Sequence, residues 1–221
     1  MKFRHEYKHN INLADLMVLR QRLSAFMLRD RNSGEDGTYF VKSLYFDNYT
    51  NKALREKIDG VNKREKFRIR YYGMDTSFIR LEKKSKINGL CNKVGVRITA
   101  EDCARIIKGD IDFLLESENE LLKELYAKMK YQLLRPKCIV AYTRESFVYG
   151  PGNIRITLDT NISGSNNVNE FLNPDLEFAH LCNDSILEVK WDGFIPDIVR
   201  DAVQLKSRRA SAFSKYAAVR L

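Results

Sequence analysis

The chain has 221 residues, 44% of them hydrophobic, and a formal net charge of +9. That length can bury a sizeable core, and that charge calls for an anionic partner. Nucleic acid is not expected to be that partner, because zinc-finger spacing, a basic region leading into heptads and an aromatic RNP-like octamer are all missing. No apolar run approaches a membrane span, and the start MKFRHEYKHN has no signal-peptide core. The four cysteines, at 91, 103, 138 and 182, make no CxxC pair, so the expectation is a reduced, cytoplasmic protein.

In chain order, Lys2 to Ile11 reads as a strand, and Asn12 as the cap of a helix to about Leu28 with Leu13, Leu16, Met17, Leu23 and Met27 on its apolar stripe. Tyr39 to Phe46 reads as a second strand closed by Asp47 and Asn48, followed by a short helix through Asn51 to Ile58 that ends near Gly60. The stretch FRIRYYGMDTSFIRLEKKSK reads as a hairpin turning at Gly73-Met74-Asp75. Asn88-Gly89 makes the next turn, before a strand from Cys91 to Ile98 that carries Lys93 and Arg97. Thr99 with Asp102 starts a helix to Lys108. Ser117 with Glu120 starts another to about Leu134, with Leu121, Leu122, Leu125 and Met129 inward and Pro136 beyond its end. Three strands follow: Lys137 to Val148, Ile154 to Asn161 after a Pro-Gly turn, and, beyond the polar loop GSNNVN, Ile186 to Trp191. Pro196 opens a helix to about Leu205, and the tail KSRRASAFSKYAAVRL is basic. Neither a dividing linker nor an internal repeat is visible, so one domain over residues 1–221 is expected.

The alternation within these strands is chemical as well as hydrophobic. In the hairpin, Arg68 and Arg70 share one face against Phe67, Ile69 and Tyr71, while Arg80, Glu82 and Lys84 share one against Ile79 and Leu81. A sheet with one wet face alternates in the same way, but it gains from opposite charges across strands and loses from like ones. The strand positions carry nine cations (Arg4, Lys8, Arg68, Arg70, Arg80, Lys84, Arg144, Arg155, Lys190) against four carboxylates (Glu6, Glu82, Asp159, Glu188). Such an excess repels itself unless a polyanion lies among the cations, so the charged faces are expected to turn inward around one and the apolar faces outward under the helices.

In order and spacing, RHEYKH, SLYFDN, KFRIRYYG, LEKKSKINGLCNKV, AYTRESF, IRITLDTNI, LEVKWDG and SAFSKY resemble the VTC domain. That is the polyphosphate-polymerising member of the triphosphate tunnel metalloenzyme superfamily, which also holds the CYTH enzymes. The resemblance implies an α+β fold: an antiparallel eight-stranded β-barrel tunnel with helices packed on its outside. It implies transfer of the γ-phosphoryl group of ATP to polyphosphate, with Mn2+ or Mg2+ as cofactor. Lys8, Arg68, Arg70, Arg144 and Arg155 become the implied catalytic set. Lys84, Lys93, Lys190, Ser214 and Lys215, with Arg80 and Arg4, become the implied phosphate-binding set, and Glu188, Glu82 and Glu6 the metal ligands. The implied partners are ATP and polyphosphate or triphosphate, with room for membrane-associated partner proteins.

The sequence departs from the superfamily in one informative place. The CYTH pattern ExExK on the first strand is here Arg4-x-Glu6-x-Lys8. Losing a carboxylate that could hold metal and activate water tilts the expectation toward a phosphate acceptor. Two other readings stay open at this point: a tunnel triphosphatase, and a non-catalytic polyphosphate or inositol-phosphate binding module. Lys93 and Arg97 also read as solvated strand residues, and the tail also reads as a frayed end.

Overall fold

The computed structural model describes residues 4–181, 185–205 and 213–221. The start of the first expected strand, Cys182 and the first part of the basic tail lie outside the described residues. In chain order the elements are β1 (His5–Ile11), α1 (Leu13–Ser24), β2 (Leu28–Arg29), β3 (Thr38–Asp47), α2 (Lys52–Ile58), β4 (Arg64–Tyr72), β5 (Asp75–Ile87), β6 (Leu90–Ile98), α3 (Ala100–Lys108), α4 (Glu120–Tyr131), β7 (Arg135–Tyr149), β8 (Ile154–Ser165), β9 (Ala179–His180), β10 (Ser185–Trp191), α5 (Asp197–Val203) and α6 (Lys215–Arg220). One antiparallel sheet runs in the order β1-β10-β8-β7-β3-β4-β5-β6, with β2 added to β7 and β9 to β8. It curls so that its two edges approach, and among the described residues they meet at one bridge, between Arg4 and Cys91. Among the described residues the closure is thus that of a curled α+β half-barrel joined at one point.

The apolar faces do turn outward. Leu44, Phe67, Ile69, Ile79 and Leu81 pack under α3 and α4, and Ile156, Leu158, Leu187 and Val189 pack under α1 and α5. Two helices depart from the expectation that all lie outside. Tyr216, Ala217 and Val219 of α6 and Leu54 of α2 pack on Val41, Tyr45, Cys138, Val140, Tyr142, Ile162 and Ile186, which belong to the inner faces. Those positions are apolar or aromatic, so that part of the interior needs a cover that water cannot give. At Gly164 the approach is so close that a Cβ would lie 2.6 Å from Val219 Cγ1.

Local chemistry explains several boundaries. Asn12 caps α1 as expected, and Asp15 returns the bond to the Asn12 amide; Thr99 and Asp102 do the same for α3. The α1 stripe is Leu16, Leu19 and Leu23. Leu13 and Met17 are 67% and 60% exposed, since Met17 sits about 100° round the helix from Leu16. The helix ends at Ser24, and Leu28 pairs with β7 instead. For α4 the cap is Asn119, not Ser117, and the helix ends at Tyr131, with Leu133 at positive φ just after it. Asp47, read as a strand end, also caps α2 from a distance: its carboxylate accepts from the amides of Ala53 and Leu54. β8 runs on through Gly164 and Ser165, which the sequence suggested were loop.

Candidate functional site

Register decides which side chains meet. Lys8 lies opposite Glu188 and Glu188 opposite Thr157. Arg144 lies opposite Asp159 on one side and Tyr39 on the other. Ser43 faces Arg70, Tyr45 faces Arg68, and Arg68 faces Glu82. Residues directly opposite share a face, so these groups form one inner belt. Glu82 in turn lies opposite Gly95, and a Cβ at Gly95 would stand 3.1 Å from Arg80 Nη2.

The belt is knotted by ion pairs. Arg144 holds Asp159 with two bonds, Nε–Oδ1 at 2.5 Å and Nη2–Oδ2 at 2.7 Å, and lies 3.4 Å from Glu188. Lys215, on α6, reaches the same Asp159 at 2.5 Å. Glu188 also takes Lys8 at 3.3 Å and Lys190 at 3.2 Å, while Glu6 takes Lys84 at 2.9 Å, Lys8 at 3.4 Å and Lys190 at 3.8 Å. Glu82 is held by Arg68 at 2.7 Å and Lys93 at 3.1 Å. Arg70 is different. It is buried and donates to hydroxyls, Ser43 Oγ at 2.8 Å and Tyr142 Oη at 3.0 Å. Tyr142 has Arg144 and Lys215 near its ring as well, at 5.2 and 4.6 Å.

Burial alone would push the carboxyls up, yet all are pulled down by cations: Glu188 well below the usual range by Lys190, Lys8 and Arg144, Glu82 by Arg68, Arg70 and Lys93, and Asp159 to about 2 by Arg144 and Lys215. The lysines divide. Burial opposes the charge of Lys8, but Glu188 and Glu6 more than offset it and raise the ammonium above its usual value. Burial carries Lys190 down to about 8 despite the same two carboxylates. Burial carries Lys66 down to about 7 against the pull of Tyr45, with Lys84, Lys8 and Arg68 adding repulsion.

A cavity of about 330 Å³ opens between β1, β4, β5, α2 and α6. From the expected set, Glu6, Lys8, Lys84 and Ser214 line it; Lys57, Arg64, Lys66 and Lys86, which the sequence did not single out, complete its basic wall. Ser214 also caps α6, accepting from the amide of Ala217. Other members of the set lie toward the edges of the belt. Arg155 is held by Asp30 at 2.6 Å and bonds Ser146 and Tyr39. The side chain of Lys93 is 54% exposed. Arg80 donates to the Gly95 carbonyl, and Arg4 pairs with Asp192 at 2.8 Å and bonds the Asn153 carbonyl.

A family model of the VTC domain matches residues 3–220. The chain belongs to the VTC domain family. No curated protein matches the chain. Among solved structures, this VTC domain is similar to the PH1012 protein of Pyrococcus horikoshii, with 12% identity and a TM-score of 0.53 over 98% of this chain and 99% of that one. It is also similar to a protein of Bacillus halodurans titled "putative adenylate cyclase", with 13% identity and a TM-score of 0.51 over 86% of this chain and 80% of that one. At such identities the likeness is one of fold. Together, family and fold make this VTC domain a tunnel-fold protein of triphosphate-related, phosphoryl-transfer type. Among its described residues no helix is long and apolar enough to cross a membrane.

The three expected metal ligands do not gather into one cluster in the VTC domain, since no group of three ligating side chains comes together among the described residues. Glu6 and Glu188 do converge, because both contact Lys8 and Lys190. Two carboxylates with phosphate oxygens to complete the shell suit Mg2+ or Mn2+, which keep few protein ligands. Glu82 stands apart, one oxygen committed to Arg68 and the other to Lys93. The hydroxyls of the belt, from Ser43, Tyr45, Tyr142 and Thr157, escaped sequence reading because nothing in their spacing separates them from core or solvent positions. Opposition to a charged partner could have signalled Ser43, Tyr45 and Thr157, whereas Tyr142 lies opposite Val41 and carries no such signal.

Proposed function

We propose that this VTC domain is a polyphosphate polymerase, a phosphotransferase that passes the γ-phosphoryl group of ATP to the end of a polyphosphate chain in the basic tunnel, with a divalent cation. The observation that carries the reading is the belt itself: Arg68, Arg70, Arg144, Lys8, Lys84 and Lys190, brought from separate strands, surround one interior. Two polyanions can be held end to end only where such charge is already organised, and phosphoryl transfer asks little of a protein beyond position and electrostatics.

In this reading the bond between the γ-phosphorus and the bridging oxygen of ADP breaks, and a bond from an oxygen of the terminal chain phosphate forms. The phosphoryl group moves between two oxyanions without a net proton requirement. Arg70, bound to hydroxyls in place of a carboxylate, has the most charge to offer an incoming phosphate oxygen. Arg144 and Arg68 reach phosphate by exchanging part of their hold on Asp159 and Glu82, and their fork geometry suits paired oxygens. Lys8, kept charged by Glu188 and Glu6, stabilises charge on the transferred group. Lys84, Lys190, Lys215 and Ser214 hold neighbouring phosphates, and Arg155, Lys93, Arg80 and Arg4 add positive potential farther along. A divalent cation at Glu188 and Glu6 would neutralise charge on the ADP leaving group.

Arg4 supports transfer to phosphate over transfer to water. It stands where the hydrolase pattern has a carboxylate, and it is turned to Asp192, so the Glu6–Glu188 pair gains no third carboxylate from that strand. The test is the purified protein with ATP, Mn2+ or Mg2+ and a short polyphosphate primer. ADP release with chain growth on a gel is expected. Orthophosphate without chain growth would make the protein a triphosphatase, and binding without turnover under any metal would make it a binding module.

A further inference from the structure

The hydroxyl of Thr157 is buried in the belt without a partner. Thr157 is 1% exposed, and among the described residues its Oγ1 makes no hydrogen bond. A buried hydroxyl left unpaired destabilises the fold, so such a group calls for a water or an ion beside it. The side chains two residues away on the same strand face are already committed. Asp159 is held by Arg144 at 2.5 and 2.7 Å and by Lys215 at 2.5 Å, and Arg155 is bound to Asp30, Ser146 and Tyr39. Across the β7–β8 ladder Ser146 lies directly opposite Thr157, its Oγ accepting from Arg155. On the other side, across the β8–β10 ladder, the residue directly opposite is Glu188.

Glu188 is held loosely for a buried carboxylate. Lys190, Lys8 and Arg144 stand at 3.2, 3.3 and 3.4 Å from it, whereas Arg68 grips Glu82 at 2.7 Å. A carboxylate so spaced can exchange its ammonium and guanidinium partners for a closer ligand. Its opposition to Thr157 decides the sign of that ligand. A phosphate oxygen beside the hydroxyl would be repelled by the Glu188 carboxylate, but a cation would be attracted to both oxygens. Threonine is stiff at χ1, so its oxygen is aimed before any ion arrives. Residues directly opposite in a ladder have Cβ atoms about 5 Å apart, near enough for one ion to touch both side chains.

We propose that Thr157 is a further oxygen ligand of the divalent-cation site at Glu188 and Glu6. It rests on the reading of that pair as the cation site and adds a neutral oxygen from a third strand, β8. Mg2+ and Mn2+ take hard oxygen donors and keep few protein ligands. A hydroxyl supplies one such donor without adding negative charge that would push phosphate away.

The experiment is Mn2+ binding to the full chain, followed by the electron paramagnetic resonance signal of free Mn2+, with and without tripolyphosphate, for the wild type, Thr157→Val and Thr157→Ser. The first variant keeps the shape and removes the oxygen; the second keeps the oxygen. Thr157→Val should weaken Mn2+ binding on the order of tenfold, and Thr157→Ser should restore most of it. Metal-free affinity for tripolyphosphate should be the same in all three. The metal-free melting temperature of Thr157→Val should hold or rise, because a methyl group replaces an unpaired buried hydroxyl. Unchanged Mn2+ affinity in Thr157→Val would overturn the proposal, as would an equal loss in Thr157→Ser. A loss of metal-free tripolyphosphate affinity would also overturn it and make the hydroxyl a phosphate contact. A Thr157→Val variant that melts early or fails to fold would overturn it too, by giving the hydroxyl a partner inside the fold. A wild type that binds no Mn2+ in either condition would remove the cation site and Thr157 with it. Mn2+ affinity that depends on Thr157 in a domain that builds no chain would keep the ligand and discard the polymerase, while chain growth with full Mn2+ affinity in Thr157→Val would do the reverse.

Discussion

Asp159→Asn tests whether the arginine belt is held ready by its own carboxylates. Asp159 is fully buried, accepts two bonds from Arg144 and one from Lys215, and its carboxyl is drawn from 3.8 to about 2. At about 1.4 kcal/mol per pH unit, that drop is worth roughly 2–3 kcal/mol of stability at neutral pH. A depressed carboxyl contributes fully above its unfolded value, and the contribution is lost as pH falls through the folded one, here from about pH 5 toward pH 2. Asparagine removes that term and leaves two buried cations short of countercharge, for a total cost of about 3–5 kcal/mol. In a chain of this length the melting temperature should fall on the order of 10 °C. The acid limb of the stability curve should flatten in the variant. Added tripolyphosphate should then raise its melting temperature by more than it raises that of the wild type, because Arg144 keeps only its 3.4 Å contact with Glu188 and Lys215 has lost its carboxylate partner. Thermal melts from pH 3 to pH 8, with and without tripolyphosphate, read all three effects. A variant with wild-type melting and an unchanged acid limb would refute the idea that Asp159 stores these cations.

Glu188→Gln should cut turnover by orders of magnitude while metal-free binding of tripolyphosphate holds or tightens, since a carboxylate among cations weakens an anion site unless a metal uses it; single-turnover rates beside calorimetry would check it, and near-normal turnover would remove Glu188 from the mechanism. Glu145, buried on the outer face between Arg20 at 2.5 Å and Arg29 at 3.0 Å, ties α1 to β7, so Glu145→Ala should cost about 2 kcal/mol in denaturant melts and leave tripolyphosphate affinity unchanged. Gly164→Ala should force α6 away from β8, lowering stability by about 1–3 kcal/mol and weakening tripolyphosphate binding through Lys215; a variant with normal affinity would free α6 of that role. Because Lys66 and Lys190 lose their protons near pH 7 and pH 8 and a bound polyanion favours the charged forms, affinity should fall as pH rises through that window, with proton uptake on binding. Calorimetry in two buffers of different ionisation heat measures that uptake, and proton release would contradict it.

Much of the site was legible because strand alternation is a local property. Once Phe67, Ile69 and Tyr71 are assigned to an apolar neighbour, Arg68 and Arg70 must point the other way, and the same parity carries Lys84, Arg144, Arg155 and Lys190 inward. Legibility failed where the partner is far away in the chain. Nothing near Asp47 says that it will cap α2 and accept the hydroxyl of Tyr216, its neighbour in space 169 residues on. Nothing near Glu82 says that its two oxygens will be spent on Arg68 and Lys93, which sets it apart from Glu6 and Glu188.

Alternation, capping and turn chemistry in the linear chain were enough to require an antiparallel sheet with a cationic face and to name most of the residues on it, because each acts over a few neighbours. Curling, cross-strand register and the docking of α6 act over the whole chain, and they alone decide which cation meets which carboxylate. They make Asp159 a shared anchor for Arg144 and Lys215, leave Arg70 on hydroxyls, and set Arg64 against Lys86 at the mouth of the cavity. Charge pairing depends on distances of a few ångströms between residues distant in sequence, and only the packed structure supplies those distances.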